Sequence, residues 1–179
     1  MEAIFPSAIA MPIRSEITDL DIDIELNLSS AERAWGRAML DEIAGSDGPV
    51  IGLFTAATGG KDMGAAWWQR FAARHAEQMP RARLVEIIPL AGRSMLDNRC
   101  PTYYSTDVRR LAAVISAVSR FVAADCGVMH LACAANAPTA GLFCGTNIAE
   151  WGPYGPRDVS VDVTSMEPEA VANLLAKTD

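Results

Sequence analysis

The sequence predicts an α/β fold built on a parallel sheet with helices on both faces. Three observations carry that reading. Short continuous apolar runs, Val50–Phe54 and Thr139–Phe143 among them, have the length and uniform hydrophobicity of strands buried on both sides. Segments of helical spacing alternate with these runs. Breakers rich in Gly and Pro, such as Gly45-Ser46-Asp47-Gly48-Pro49, separate the two kinds. Half of the 179 residues are hydrophobic, enough for the core of one domain.

The elements follow in order. Leu20, Ile22, Ile24, Leu26 and Leu28 alternate with acids and Asn27, the period of a half-buried strand over residues 19–28 with an acidic outer face. Ser29 or Ser30 caps a helix that carries Glu32 and Glu42 and runs to about residue 44. After the break come a strand at 50–54, a Gly-rich turn, a helix at 64–78 and a strand at 84–88 ended by Pro89. A short third strand lies within 100–104, and Asp107 caps a helix with Val108, Leu111, Ala112, Ile115 and Val118 on one face. A strand at 121–124, a helix at 127–136 and a strand at 139–143 lead into a Gly/Pro-rich loop through residue 156. A strand at 159–163 and a helix at 167–176 close the chain. This divides it into an acidic, linker-like strand and helix over 1–49 and a sheet domain over 50–179.

Charge narrows the function. The net charge is −7, and residues 1–48 hold all the excess, with 10 acids against 3 bases; residues 49–179 balance at 12 and 12. Nucleic acid is a poor partner for such a surface, whereas one small anion held by a few placed groups is permitted. No run reaches the ~18 apolar residues of a membrane span. The most apolar stretch, 111–124, is interrupted by Ser116, Ser119 and Arg120. Glu2, Pro6 and Pro12 argue against a signal peptide. Four cysteines without a C-x-x-C spacing point to a reducing, cytoplasmic setting, and with two histidines no metal or cofactor is expected. Cys126 and Cys133 share a helix face, where core packing explains them better than a disulfide.

In an open parallel sheet, ligands bind beyond the carboxyl ends of the strands. Three such ends stand out. Thr55-Ala56-Ala57-Thr58-Gly59-Gly60-Lys61 offers glycines that let amides approach an anion and a lysine as point charge, or else an exposed turn. It lacks the Walker A pattern, having Thr55 and Asp62 where Gly and Ser/Thr are needed. Ala124-Asp125-Cys126-Gly127-Val128-Met129-His130 turns from strand to helix, and its helix-start amides form an anion site beside Gly127. Asp125 is either a plain helix cap or a carboxylate that receives sugar hydroxyls or orients Lys61. His130 fits a packed histidine better than a catalyst, and no hydrolase triad is present. Gly141 to Thr146, then Trp151-Gly152-Pro153-Tyr154-Gly155, either cover a ligand or form a structural turn. Trp67, Trp68 and Phe71 read as a core stripe.

Asp125-Cys126-Gly127-Val128-Met129-His130-Leu131-Ala132 resembles the D-[ST]-G-x-x-H-[LI]-A signature of the ADP-heptose:lipopolysaccharide heptosyltransferases, glycosyltransferase family 9. Gly141-Leu142-Phe143 with Thr146, and Trp151-Gly152-Pro153-Tyr154-Gly155, are similar to its G-L-F-G-x-T and W-x-P-Y-G stretch, and Lys61 followed by Trp67, Trp68 and Phe71 to its K-x-W-x-x-x-x-F region with a longer gap. The resemblance runs from about Val50 to Val163. It implies a Rossmann-like sheet, the C-terminal, donor-binding half of a GT-B glycosyltransferase acting in lipopolysaccharide or related glycan synthesis. Thr58, Lys61, Thr106, Asp125, Cys126, Gly127 and Val128 would then hold a nucleotide-diphospho-sugar of the ADP-heptose type, with His130 and Thr146 as further candidates. Two departures are expected to matter. Cys126 replaces the family's Ser or Thr, and the acceptor domain that supplies the candidate general base is not represented, so no catalytic residue is assigned here. Partners are the sugar nucleotide and an acceptor domain or second chain, with peripheral membrane association through the acceptor. The rival class is a noncatalytic nucleotide-binding module working with a partner chain.

Overall fold

The computed structural model describes residues 24–90 and 92–177. Six parallel strands form one sheet in the order β3-β2-β1-β4-β5-β6. They are β1 (Val50–Phe54), β2 (Arg83–Ile87), β3 (Thr102–Tyr103), β4 (Arg120–Ala124), β5 (Thr139–Phe143) and β6 (Val159–Asp162). The helices are α1 (Ser30–Ala44), α2 (Gly64–Gln78), α3 (Val108–Ile115), α4 (Gly127–Ala134), α5 (Ile148–Trp151) and α6 (Pro168–Leu175). The predicted α/β class is therefore the observed one. The strand order reverses between β1 and β4, which pair from Ile51↔Arg120 to Phe54↔Ala123. That reversal is the switch point at which an open α/β sheet forms its ligand crevice.

Both faces of the sheet are covered, which is why β1, β4 and β5 are buried at every position. One face packs Val50, Phe54, Val85 and Phe121 against Leu40 of α1, Val114 and Ile115 of α3 and Met129 of α4. The other packs Ile51, Leu53, Val122 and Leu142 against Trp68 and Phe71 of α2 and Val171 and Leu175 of α6. Trp68 and Phe71 are fully buried, and Trp67 stacks on Phe71 at 5.6 Å, the core role expected of that stripe.

Local signals account for the helix starts. Ser29 and Glu32 form a reciprocal capping box on α1. Asp107 accepts from the amides of Arg109 and Arg110 at the start of α3. Helix α3 stops at Ile115, so Val118 lies beyond it in the turn to β4, and α4 stops at Ala134 rather than 136.

The predicted strand over 19–28 is corrected where it can be seen. Residues 24–29 carry no strand; residues 19–23 lie outside the described ones. Leu26 donates its amide to the Ala134 carbonyl at 2.7 Å, and Leu28 is buried against Ala112, Ala113 and Ala135. Helices, not a strand edge, cover Leu26 and Leu28, while Ile24 is 59 % exposed. Arg109 fixes it, donating to the carbonyls of Leu26 and Asn27 and, through Nε and Nη2, to the Glu32 carboxylate. Helix α1 packs on α3, where a Cβ at Gly36 would stand 2.1 Å from the Ala113 carbonyl oxygen.

Candidate functional site

The carboxyl ends of β1 and β4 lie side by side, and the loops leaving them bring two predicted residues into contact. After β1 the chain runs through buried Thr55 and a single 3₁₀ turn, Gly59–Lys61, preceded by exposed Thr58. Lys61 places Nζ 2.8 Å from Oδ2 of Asp125, the first residue after β4. The Asp125 side chain is only 4 % exposed, against 39 % for Lys61. A buried carboxylate is thereby tied to a lysine that remains open to solvent.

Asp125 is not the helix cap, which corrects one of its two sequence readings. Cys126 occupies the cap position of α4, with extended φ −162° and ψ 170°. Its sulfur faces the amides of Val128 and Met129, and burial pushes the thiol above its ordinary pKa. Met129 donates its amide to the Cys126 carbonyl at 3.1 Å, so that donor is already engaged. The amides at the very start of α4 precede the first intrahelical bond and, with the helix dipole, favour an anion there. Gly127 begins the helix, is exposed, and has nothing within 4 Å of where a Cβ would project.

The remaining predicted residues share this edge of the sheet at greater spacing. Thr106 is exposed in the bend beyond β3, two strand positions from β1. His130 is half-buried one turn into α4, and Thr146 is half-buried in the turn after β5. Trp151 and Tyr154 are 49 % and 44 % exposed, with the Tyr154 hydroxyl donating to the Ile24 carbonyl at 3.4 Å. All four cysteines are free; Cys133 is buried, its thiol pushed up to about 12 chiefly by desolvation. A cavity of about 530 Å³ lies at the opposite edge, lined by Pro49, Ser119, Arg120, Pro138 and Arg157, and contains none of the predicted residues.

One supporting group escaped the sequence reading. Glu86 is fully buried in β2 and accepts from the Thr55 hydroxyl at 2.9 Å, the Met95 amide at 2.9 Å and the Ser94 hydroxyl. It joins the exit of β1, and so the Lys61 loop, to the loop after β2. A charged residue inside the apolar run Leu84-Val85-Glu86-Ile87 was the available signal.

Among the described residues no group of three His, Cys, Asp or Glu could hold a metal, and no helix is long and apolar enough to cross a membrane. The fold and this edge define a Rossmann-like domain of the kind found in GT-B enzymes. Independent comparison leads to the family that the motifs resemble: the model of glycosyltransferase family 9 (heptosyltransferase) matches residues 100–175. Solved structures agree in fold. ADP-heptose lps heptosyltransferase II of E. coli superposes with TM-score 0.68 at 17 % identity, covering 86 % of this chain and 53 % of that one. A glycosyl transferase family 9 protein of Veillonella parvula gives TM-score 0.72 at 14 % identity, with the same coverages of 86 % and 53 %. E. coli heptosyltransferase WaaC with ADP gives 0.64 at 14 % identity, covering 82 % of this chain and 49 % of that one. The chain thus spans about half the length of the structures it matches. No curated relative matches it by sequence.

Proposed function

We propose that this chain is the donor-binding half of a GT-B glycosyltransferase that takes a nucleotide-diphospho-sugar, ADP-heptose or a close analogue, for transfer in lipopolysaccharide or related glycan synthesis in the cytoplasm. The observation that carries the reading is the Lys61–Asp125 pair beside the open start of α4. The diphosphate lies against the amides at residues 126–128, with Lys61 as its cation and Asp125 toward the sugar. Thr58 and Thr106 contact the nucleotide from the loops after β1 and β3, and His130 and Thr146 border the site. Residues 1–49 act as the link toward an acceptor-binding domain or chain.

The chemistry asked of these residues is stabilisation of the leaving group. As the glycosidic bond to the diphosphate breaks, negative charge grows on its oxygens. Preorganised amides lower the barrier because they need no reorganisation at that moment, and a lysine already drawn to the bound diphosphate adds its charge. The acceptor hydroxyl and the base that deprotonates it come from the acceptor side, as does the positioning that makes attack efficient. E. coli WaaC structures hold ADP and ADP-2-deoxy-2-fluoro heptose, which supports these two ligand types as probes.

The test is titration calorimetry and thermal melting with ADP and ADP-heptose. Both ligands are expected to bind and raise the melting temperature, since a ligand of the folded state alone stabilises it. Lys61→Met is expected to fold and to lose most of that affinity. No shift at millimolar ligand overturns the reading. The Cys126 thiol at the cap, where a hydroxyl would meet phosphate, favours a second reading as a noncatalytic sugar-nucleotide module. That reading is upheld if the chain binds donor yet yields no transfer when an acceptor domain and acceptor are supplied.

A further inference from the structure

Asp125 carries an electrostatic constraint that bears on which ligand the site prefers. Its carboxylate is buried at the end of β4, and Lys61 Nζ at 2.8 Å supplies its cation. The Val128 and Met129 amides face the Cys126 sulfur and not this carboxylate. Oδ2 is fully buried and receives no directed hydrogen bond, so its compensation is Coulombic and comes from Lys61. The neighbouring Cys126 thiol is held above its ordinary pKa by burial and stays neutral, adding no charge of its own near pH 7.

We propose that Lys61 is exchanged between Asp125 and the ligand's diphosphate, and that this exchange makes Asp125 the residue by which the site prefers a sugar-bearing nucleoside diphosphate over the bare one. The inference rests on the donor-site reading above. A diphosphate at the start of α4 competes with Asp125 for the same ammonium. Lys61 can respond, because its side chain is 39 % exposed and the space where a Cβ would stand at the preceding Gly59 and Gly60 is open. Drawing it away leaves a buried carboxylate without its cation, which is strongly unfavourable. Bare ADP offers Asp125 nothing but further negative charge. A sugar on the second phosphate offers hydroxyl donors, and hydrogen bonds from them to a carboxylate are of the strong, charge-assisted kind. The same asymmetry favours departure of the nucleoside diphosphate once the sugar has been transferred.

Calorimetric titration of ADP and ADP-heptose into the unmutated chain, Asp125→Asn, Lys61→Met and the double variant tests this. The unmutated chain is expected to bind ADP-heptose more tightly than ADP; equal affinities overturn the proposal without any variant. Asp125→Asn is expected to bind ADP several-fold more tightly and ADP-heptose about tenfold more weakly, since a hydrogen bond to a charged group is lost only with the sugar. An Asp125→Asn variant that binds ADP no better, or keeps the original ratio, overturns the exchange while leaving the donor site standing. Binding of neither ligand to the unmutated chain overturns both. Lys61→Met is expected to lower the melting temperature, and adding Asp125→Asn to restore most of the loss; additive losses refute the pairing.

Discussion

Gly127→Ala separates a glycine kept for the fold from one kept for a ligand. Gly127 is the first residue of α4, its φ is not positive, and a Cβ there meets nothing within 4 Å. The folded chain therefore has room for alanine. Alanine also loses less backbone entropy on folding, so the variant is expected to gain roughly 0.5–1 kcal/mol. For a domain of this size about 1 kcal/mol moves Tm by roughly 2–4 °C, so melting is expected to rise by about 1–4 °C. Binding is expected to move the other way. A phosphate oxygen about 2.9 Å from an amide nitrogen sits within contact of a methyl on the adjoining Cα. Displacing it costs about 1.5–3 kcal/mol, or roughly 10–140-fold in ADP affinity. Scanning fluorimetry without ligand and calorimetry with ADP read the two effects separately. A melting temperature that falls, or an affinity that holds in a well-folded variant, refutes the reasoning.

Other perturbations test other parts of the argument. Cys126→Ser replaces a weak acceptor with a good helix cap and adds a hydroxyl toward phosphate; about 0.5–1 kcal/mol of added stability and several-fold tighter ADP binding are expected by urea melts and calorimetry. Gly36→Ala would drive a Cβ to 2.1 Å from the Ala113 carbonyl oxygen, backbone that cannot swing aside, so a loss of about 3 kcal/mol or more is expected in the urea midpoint. Hydrogen bonds from Arg109 and Ser29 hold the Glu32 carboxyl at about 2, against an ordinary 4.5. Because the folded value is the lower one, the stabilisation is fully present above about 4.5 and fades as pH falls toward 2. Urea midpoints for Glu32→Gln are expected to fall less between pH 5 and 3 than those of the unmutated chain, and equal slopes would count against the Arg109 clamp.

Much of the fold was legible because its signals are local. Uniformly apolar Val50–Phe54 reads as a strand covered on both sides, and it is buried at all five positions. Ser29 and Asp107 announce helix starts through their own hydroxyl and carboxylate, and both cap as expected. What misled was a pattern whose partner was not local. Leu26 and Leu28 alternate with polar residues as a strand would, yet they dock on α3 and α4, where Ala112, Ala113 and Ala135 leave a shallow apolar surface. Alternation records that one face is covered; it does not say whether a strand or a pair of helices covers it. The site was legible in part for the same reason. Lys61 and Asp125 stood out singly, but they are 64 positions apart in sequence, and only the pairing of β1 with β4 brings their loops together. Glu86, a lone acid in an apolar run, marks a buried charge, but its donors Thr55, Ser94 and Met95 lie on loops that only the fold brings to it.

The glycines supply an independent argument for where the ligand goes. Five of the thirteen, Gly45, Gly48, Gly59, Gly64 and Gly145, have positive φ, which excludes most side chains. Six more, Gly36, Gly52, Gly92, Gly141, Gly152 and Gly155, would set a Cβ within 3.0 Å of a neighbouring atom. Backbone conformation or packing thus accounts for eleven. Gly60 and Gly127 remain, and neither constraint applies to them: φ is ordinary and the space beyond each is open. They are not neighbours in sequence, yet Gly60 precedes Lys61 and Gly127 follows Asp125 by two, so both flank the one ion pair at the switch point. A fold that gains nothing from two glycines, and loses chain entropy to them, is most simply explained if something outside the chain occupies the space they leave. The position fits an anion approached by backbone amides, with Lys61 on one side and the start of α4 on the other.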